Sequence, residues 1–332
     1  MENATSKVQT ITVRLITDKP VKKTPYQVKG VFMKQYSDSL IVPLLDGRYR
    51  EKFLYPRVQV KILNEQIYLI GINEGVEPIK DLTNQIDFLD FGNITFNVLD
   101  MDSEEYTDRF QTTTQLIRYR FVTPWVALNQ TTGNRYKYLK NDDRQAFLNR
   151  LLGQNIVFLA REMGITMEEK IFTKTNLTSL FPKPVDENDW GAFFGEFRTN
   201  FILPNFIGLG NGITRGYGAI YGLFNPDMFQ YDENLLAKKA PKTSPEKIKD
   251  EDEELEVIKV EEVPKPNKRA LKISKKRSSR RVLSEEFDIE EMPSVRKPRK
   301  QKEPLKKKND AGAPSEDEQF NREEFHKKQH EF

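Results

Sequence analysis

The chain has 332 residues, with 53 Lys and Arg against 50 Asp and Glu, 37% apolar residues and no cysteine. This composition excludes a disulfide framework, a thiolate metal site and a cysteine nucleophile, and it fits a reducing compartment. The chain has no apolar run of about 18 residues and no apolar signal core at its start, so we expect a cytoplasmic protein without a membrane partner.

Residues 1–101 predict six elements in the order β-α-β-β-α-β. They are strand 8–17, helix 26–36, strands 57–63 and 66–72, a helix with apolar positions from 76 to 89, and strand 93–99. Only two residues separate the middle strands, which is hairpin spacing. The order is typical of a ferredoxin-like (RRM-like) domain, in which two helices cover one face of an antiparallel sheet.

An acidic segment follows the last of these strands. It contains Asp100, Asp102, Glu104, Glu105 and Asp108. Carboxylates at this density are either a solvated linker between domains or a carboxylate metal site. We favour the linker, and we expect no metal or other cofactor.

Residues 102–234 predict a second ferredoxin-like domain, so the fold class is α+β with two such domains in tandem. The elements are strand 111–122, an amphipathic helix over 142–163, and paired strands 170–180 and 191–203. A glycine-rich loop, residues 204–222, then stands in place of a second helix and last strand. Trp125 lies in an apolar corner, where packing is favoured over stacking on a base.

The glycine-rich loop holds six of the 17 glycines of the chain within residues 208–222. Its sequence, PNFIGLGNGITRGYGAIYG, lacks both the Lys-Ser/Thr of a phosphate-binding P-loop and the context of a dinucleotide fingerprint. Each glycine costs conformational entropy on folding, so we expect another group, from the protein or from a ligand, to pack closely against this backbone. Either the loop is a packed turn, or its N–H groups with Arg215 and Tyr217 bind phosphate.

The charged tail, residues 235–332, is predicted to be disordered because it lacks a sustained apolar period. Residues 250–262 carry eight acidic side chains, and residues 263–308 carry 17 Lys and Arg. The basic part fits nucleic-acid binding, but it is equally explained by solubility or by pairing with the acidic block.

The two histidines of the chain, His326 and His330, both lie in the tail. A Ser-His-Asp triad, a histidine base and most zinc hydrolase sites are therefore excluded from residues 1–325. The i,i+4 spacing of the pair is a weak metal signal, and we interpret both as incidental surface residues.

Four segments together resemble a known family. They are KGVFMKQY, LYPRVQVKILNEQIYLIGINEGVE, YRFVTPWVALNQ and FIGLGNGITRGYGAIYGLF. In this order they resemble the CRISPR repeat-RNA processing endoribonucleases, the sixth Cas family of the RAMP superfamily, and its b-type branch in particular. The resemblance covers about residues 8–225.

The resemblance implies a protein that binds CRISPR repeat RNA and cuts it without metal. In that mechanism a base deprotonates a ribose 2′-hydroxyl, which attacks the adjacent phosphate and leaves a 2′,3′-cyclic phosphate. The usual base of the family is a histidine in the loop after the first helix, and residues 36–52 contain none. An unshifted tyrosine or lysine titrates near pH 10 and is a poor base at neutral pH.

The candidate site residues follow from this resemblance. The candidate catalytic residues are Tyr36, Tyr49 and Lys52. The candidate RNA-binding residues are Lys34, Arg48, Gly208, Gly210, Gly212, Arg215, Gly216, Tyr217 and Gly218. The alternative is a catalytically inactive RNA-binding module, or a scaffold that recruits other CRISPR effector proteins through its charged tail.

Overall fold

A computed structural model describes residues 7–167, 170–185, 190–223, 246–247 and 255–265. The strands are β1 (Thr10–Thr17), β2 (Val58–Leu63), β3 (Gln66–Ile72), β4 (Phe88–Asp90), β5 (Thr95–Tyr106), β6 (Gln111–Phe121), β7 (Trp125–Leu128), β8 (Ile171–Leu177), β9 (Lys183–Val185), β10 (Trp190–Phe193), β11 (Gly195–Ile202), β12 (Ile220–Gly222), β13 (Glu246–Lys247) and β14 (Glu256–Ile258). The α-helices are α1 (Pro25–Gln35), α2 (Val42–Leu45), α3 (Val76–Thr83), α4 (Gln130–Lys137) and α5 (Asn141–Glu162).

The first domain is an antiparallel sheet in the order β2-β3-β1-β5-β4. Without the short edge strand β4, this is the strand order of a ferredoxin-like fold. Helices α1 and α3 contribute Val28, Phe32, Ile79 and Leu82 to one continuous apolar core with the sheet. The predicted first domain is therefore confirmed as ferredoxin-like.

Helix α1 begins at a capping box. The Thr24 hydroxyl oxygen accepts a hydrogen bond from the Gln27 N–H, the Gln27 side chain accepts one from the Thr24 N–H, and Pro25 occupies the first turn. These contacts satisfy donors that the first helical turn leaves without partners. They fix the start of the helix, which faces the second domain.

The second predicted helix is shorter than its apolar spacing indicated. Helix α3 ends at Thr83, and Leu89 lies on β4, where it pairs with Phe96. Leu89 is fully buried in the same core as the helix. It therefore falls on the apolar spacing of the helix although its own backbone is extended. A spacing of three and four cannot distinguish these two cases.

The predicted acidic linker is wrong for most of its length. Strand β5 continues to Tyr106 and pairs with β1 along this stretch. Two of the acidic side chains form ion pairs, Asp102 with Arg14 and Glu105 with Lys80. A strand exposed on both sides lacks the apolar alternation by which a strand is recognised in sequence.

The second domain has its strands in the order β12-β6-β11-β8-β14. The first four reproduce the ferredoxin-like order, with β12, at the end of the glycine-rich loop, as the last strand. Helix α5 packs on this sheet through buried side chains at a helical spacing, which are Leu148, Leu152, Ile156 and Leu159. The loop replaces the second helix as predicted, but the prediction that it also replaces the last strand is wrong, because β12 is formed and pairs with β6.

A small sheet, β7-β10-β9, flanks the second domain. Trp125 on β7 is fully buried and stacks on Phe121, with ring centroids 5.2 Å apart and planes inclined by 1°. This agrees with the packing interpretation of Trp125.

The predicted disorder of the tail is wrong for residues 255–265, which we call the strap. Strand β14 extends the edge of the second sheet beside β8 and is followed by a 3-10 turn at Val260–Glu262. Ile258 and Val263 are buried in the core of the second domain. Upstream, the two residues of β13 pair with β6. The rest of the tail, with both histidines, lies outside the described residues.

Among the described residues, no helix is both long and apolar enough to cross a membrane.

Candidate active site and RNA interface

The glycine-rich loop lies at the junction of the two domains. On one side it contacts α1, β2 and the segment before β2; on the other it contacts the corner between β6 and β7. It therefore contacts both domains.

Two buried side chains of the first domain, Tyr55 and Gln59, fasten it to Gly208. The Tyr55 hydroxyl donates to the Gly208 carbonyl oxygen at 2.6 Å, and the Gly208 N–H donates to Gln59 Oε1 at 2.9 Å. Gln59 Nε2 donates in turn to the Tyr55 oxygen at 3.0 Å. Burial raises the pKa of the Tyr55 hydroxyl, so it remains a neutral donor.

Two lysines of the first domain bind carbonyl oxygens of the loop. Lys61, fully buried, donates to the carbonyls of Tyr217 at 3.0 Å and Ile213 at 3.3 Å. Lys29 on α1 donates to the Thr214 carbonyl. These bonds hold the 3-10 turn Ile213–Arg215 beside the start of α1.

Several glycines of the loop are required by close contacts. Gly216 has φ +98°, and a Cβ there would lie 2.7 Å from Pro25 Cγ. Gly210 has φ +83°, and a Cβ there would lie 2.7 Å from the Val126 carbonyl oxygen. At both positions a side chain would clash and also strain the backbone. The packed-turn interpretation therefore explains these glycines.

The N–H groups of three predicted phosphate-binding glycines are already bonded within the protein. Gly208 donates to Gln59, Gly216 to the Ile213 carbonyl and Gly218 to the Pro124 carbonyl. This geometry does not support phosphate contact through these three amides. For Gly210, Gly212, Arg215 and Tyr217, RNA binding stays a prediction.

A cavity of about 430 Å³ opens between the loop and residues 44–57 of the first domain. A volume of this size is typical of small-ligand sites and accommodates a nucleotide. Its apolar wall comes partly from α5, through Leu151 and Phe158. Cationic, phenolic and amide side chains also line it, including Lys29, Tyr49, Arg50, Asn129, Asn155 and Arg215.

The structure brings Tyr49 and Arg215 to the same cavity, although they are far apart in sequence. Tyr49 is 44% exposed and packs edge-on against Phe53, and the Arg215 guanidinium lies 5.6 Å from the centre of the Tyr217 ring. A phenol and a guanidinium at one opening combine a proton carrier with a phosphate-binding charge.

The other two predicted catalytic residues do not line this cavity. The Tyr36 hydroxyl donates to the Phe88 carbonyl oxygen at 3.3 Å, and burial together with Asp87 raises its pKa. Both effects keep the Tyr36 phenol protonated, so it is less available as a base at neutral pH. Lys52 instead lies over the Phe53 ring, 4.9 Å from its centre.

The predicted RNA contacts Lys34 and Arg48 are exposed side chains outside the cavity lining. Arg48 is held by Asp46, whose Oδ2 lies 2.5 Å from Arg48 Nε. Their RNA contacts stay predictions.

The open face of the second sheet is rich in arginine. Arg118 and Arg120 on β6 both bind Glu196 on β11, with Nε distances of 2.7 and 3.0 Å. Burial alone would raise the pKa of Glu196, but the bonds from Arg120 and Arg118 outweigh it and hold this pKa below its usual range. Arg198 and Lys174 flank the cluster on neighbouring strands. The face therefore carries more cationic than anionic side chains.

Sequence reasoning missed Tyr26 and Lys29 as cavity residues. Tyr26 is 62% exposed and lies at the mouth, while Lys29 is one turn further along α1. Both lie in the first two turns of α1. The sequence of a helix start does not show which part of the protein it faces, so these two residues could not be assigned to the cavity from sequence. Among the described residues, no three His, Cys, Asp or Glu side chains converge as metal ligands would.

Comparison with known families decides the relationship. The model of the Cas6b N-terminal domain matches residues 6–108, and the model of the Cas6b C-terminal domain matches residues 111–223. The chain belongs to the Cas6b family.

Individual relatives of this Cas6b-family chain agree with that assignment. Its fold is similar to that in "Crystal structure of Cas6b", with a TM-score of 0.55 and 28% identity over 65% of this chain and 99% of the other. A second structure, "Crystal structure of CRISPR RNA processing endoribonuclease Cas6b", gives a TM-score of 0.50 and 26% identity over 65% of this chain and 99% of the other. The uncharacterized protein MJ0978 of Methanocaldococcus jannaschii is 31% identical over 113 residues, which are 34% of this chain and 77% of MJ0978.

Proposed function

We propose that this Cas6b-family chain binds CRISPR repeat RNA at the cavity between its domains and cuts it there without a metal ion. The observation that carries the proposal is the convergence of Lys29, Tyr49 and Arg215 on one opening beside the glycine-rich loop. A solved relative that is 26% identical is described as a CRISPR RNA processing endoribonuclease, which supports the same substrate class.

The reaction needs a base, an acid and a counter-charge. The base takes the proton of a ribose 2′-hydroxyl, and the 2′ oxygen forms a bond to the adjacent phosphorus. The bond from phosphorus to the 5′ oxygen then breaks, and that oxygen takes a proton. The products are a 2′,3′-cyclic phosphate and a 5′-hydroxyl.

We assign these tasks to residues at the opening. Tyr49 is the proton carrier, because its exposed phenol is the one predicted catalytic group that lines the cavity. Arg215 stabilises the charge that develops on the phosphate, for which a guanidinium is suited. Lys29, bonded to the Thr214 carbonyl, positions the turn that carries Arg215.

The cleavage test uses labelled repeat RNA in excess EDTA. The proposal expects a shortened RNA with a 2′,3′-cyclic phosphate, and no product when a 2′-deoxyribose stands at the cleavage position. Cleavage that needs added Mg²⁺, or that persists with the deoxy substrate, contradicts it.

The binding test uses Arg215→Ala. We expect weaker repeat-RNA binding and a salt slope lower by about one, because one phosphate contact is lost. Lys22→Ala is a matched control, since its exposed side chain does not line the cavity. An unchanged affinity and salt slope in Arg215→Ala would show that the glycine-rich loop does not contact the RNA through Arg215.

One observation favours a second candidate function, RNA binding without cleavage. Residues 1–325 contain no histidine, so the cavity lacks the side chain best suited to proton transfer at neutral pH. This candidate predicts Arg215-dependent binding with no product under any of the conditions above.

A further inference from the structure

One side of helix α5 faces the cavity beside the glycine-rich loop. Leu151, Gln154, Asn155 and Phe158 all line this cavity. Their spacing of three and four residues places them on one stripe of the helix. Leu152 packs on the sheet instead and does not line the cavity. The stripe therefore places two carboxamide side chains in the cavity, between two apolar ones.

Each of these carboxamides has a buried oxygen without a hydrogen-bond partner. Gln154 is 9% exposed, so its side chain is more than nine-tenths buried. Gln154 Oε1 and Asn155 Oδ1 are both buried, and neither accepts a hydrogen bond from any of the described residues. Most buried polar side-chain atoms in native proteins have a partner, and an exception calls for an explanation. Two such oxygens at one cavity indicate acceptors that a bound molecule satisfies.

The glycine-rich loop adds apolar wall to the same cavity. Leu209 and Ile213 line it, and both are buried. Together with the apolar residues of α5 they suit the faces of a flat ring, while the amides suit its polar edge. A cavity of about 150 Å³ is enough for benzene, so the 430 Å³ here accommodate a nucleobase.

The exposure of the lining residues indicates how a nucleotide would enter. Tyr26 and Tyr49 are 62% and 44% exposed, so they lie at the mouth, whereas Gln154 lies in the interior. A ribonucleotide whose phosphate and ribose stay at the mouth would therefore direct its base toward α5.

We propose that this cavity takes up one unstacked base of the RNA, and that Gln154 and Asn155 select guanine. The inference rests on the proposed RNA binding and deepens it, because it names the base that the site prefers. Phosphate contacts position a nucleic acid but carry no sequence information, whereas contacts to base edges do. The two amides are the residues that supply this sequence information.

Guanine matches two acceptors better than the other bases do. Its Watson–Crick edge carries three hydrogens on two neighbouring nitrogens, N1 and N2. Adenine and cytosine present donors on a single exocyclic nitrogen, and uracil presents one N–H between two acceptors. A base acceptor opposite a buried carbonyl oxygen would leave both groups unsatisfied, which is costly.

The test measures the affinity of the full chain for labelled RNA pentamers of sequence UUXUU, where X is guanine, adenine, cytosine, uracil or hypoxanthine. Every pentamer offers the same phosphates, so the ratio of two affinities reports the base alone. We expect the guanine pentamer to bind at least about tenfold more tightly than the uracil pentamer. Hypoxanthine lacks the N2 amino group of guanine and should bind about three- to tenfold more weakly than guanine does.

Substitutions assign the preference to α5. Gln154→Leu and Asn155→Leu remove the acceptors, so each should lower the guanine-to-uracil ratio about threefold or more, and together they should bring it close to one. Gln154→Glu retains an acceptor and should retain the preference, which a purely structural role of Gln154 would not predict. Asn141→Leu is the control and should keep the wild-type ratio, because Asn141 is exposed on the same helix and does not line the cavity.

The base pocket and the proposed function can fail separately. Arg215→Ala should weaken the binding of all five pentamers alike and leave the ratio unchanged. A ratio near one in the wild type, a preference for another base, or an unchanged ratio in both Leu variants would overturn the guanine pocket. If such a protein still binds and cuts repeat RNA in EDTA, the proposed function stands. A wild type that binds neither the pentamers nor repeat RNA contradicts both.

Discussion

Tyr55 donates a hydrogen bond of 2.6 Å to the carbonyl oxygen of Gly208, a residue 153 positions further along the chain. The bond is buried and joins the segment before β2 to the glycine-rich loop of the other domain. The loop is therefore held by the first domain as well as by its own, and the shape of the cavity depends on both.

Removal of the Tyr55 hydroxyl should destabilise this junction. Tyr55→Phe eliminates a buried bond to Gly208 and leaves Gln59 Nε2 without its acceptor at this site. We expect a loss of about 1–3 kcal/mol in the free energy of unfolding, measured by urea denaturation. Tyr138→Phe is the control, because Tyr138 is 90% exposed and should be neutral. Equal stability of the two variants would mean that the bond contributes nothing.

Two helix glycines should respond oppositely to alanine. Gly133 on α4 has open space, with its nearest neighbour at 3.9 Å, so Gly133→Ala should stabilise by roughly 0.5–1 kcal/mol. Gly153→Ala gains the same helix propensity but clashes with Ile258, so we expect it to destabilise. Thermal unfolding of both variants in the full chain measures the difference in sign. Stabilisation by Gly153→Ala would show that Ile258 does not pack against Gly153.

Acid should weaken the arginine cluster on the second sheet. The pKa of Glu196 is held below its usual 4.5, so the ionised carboxylate stabilises the fold above that pH, and the contribution is lost as the pH falls through the lowered value. The difference in unfolding free energy between wild type and Glu196→Gln should therefore be greatest above pH 4.5 and shrink below it. Urea titrations at a series of pH values test this. A constant difference would contradict the assigned ion pairs.

Much of the fold follows from local pattern. The hairpin at Asn64-Glu65, helix α5 and the strand alternation of the first domain are fixed by apolar periodicity and turn chemistry, which act over a few residues. The strand β5 was missed beyond Leu99, and so was the strap, because exposed and charged strands lack that periodicity. Their pairing partners, β1 and β8, are distant in sequence.

The candidate site was predicted less completely than the fold. The glycine spacing indicated that other groups pack closely against the loop backbone. It did not show that these groups are Tyr55, Gln59 and Lys61. The polar positions of β2 look like a solvent face in sequence, whereas Lys61 is fully buried against the loop. Only the packing of one domain on the other decides which face is solvent.

Single-turnover cleavage of repeat RNA in EDTA by wild type, Tyr49→Phe and Tyr36→Phe shows whether Tyr49 carries the proton in the cavity. Loss of a proton carrier typically costs about 100-fold or more in rate. We expect a fall of about that size for Tyr49→Phe with RNA affinity retained, and near wild-type cleavage for Tyr36→Phe, whose hydroxyl is bonded to Phe88. Full activity of Tyr49→Phe, or loss of activity in Tyr36→Phe alone, would contradict the placement of the reaction in the cavity.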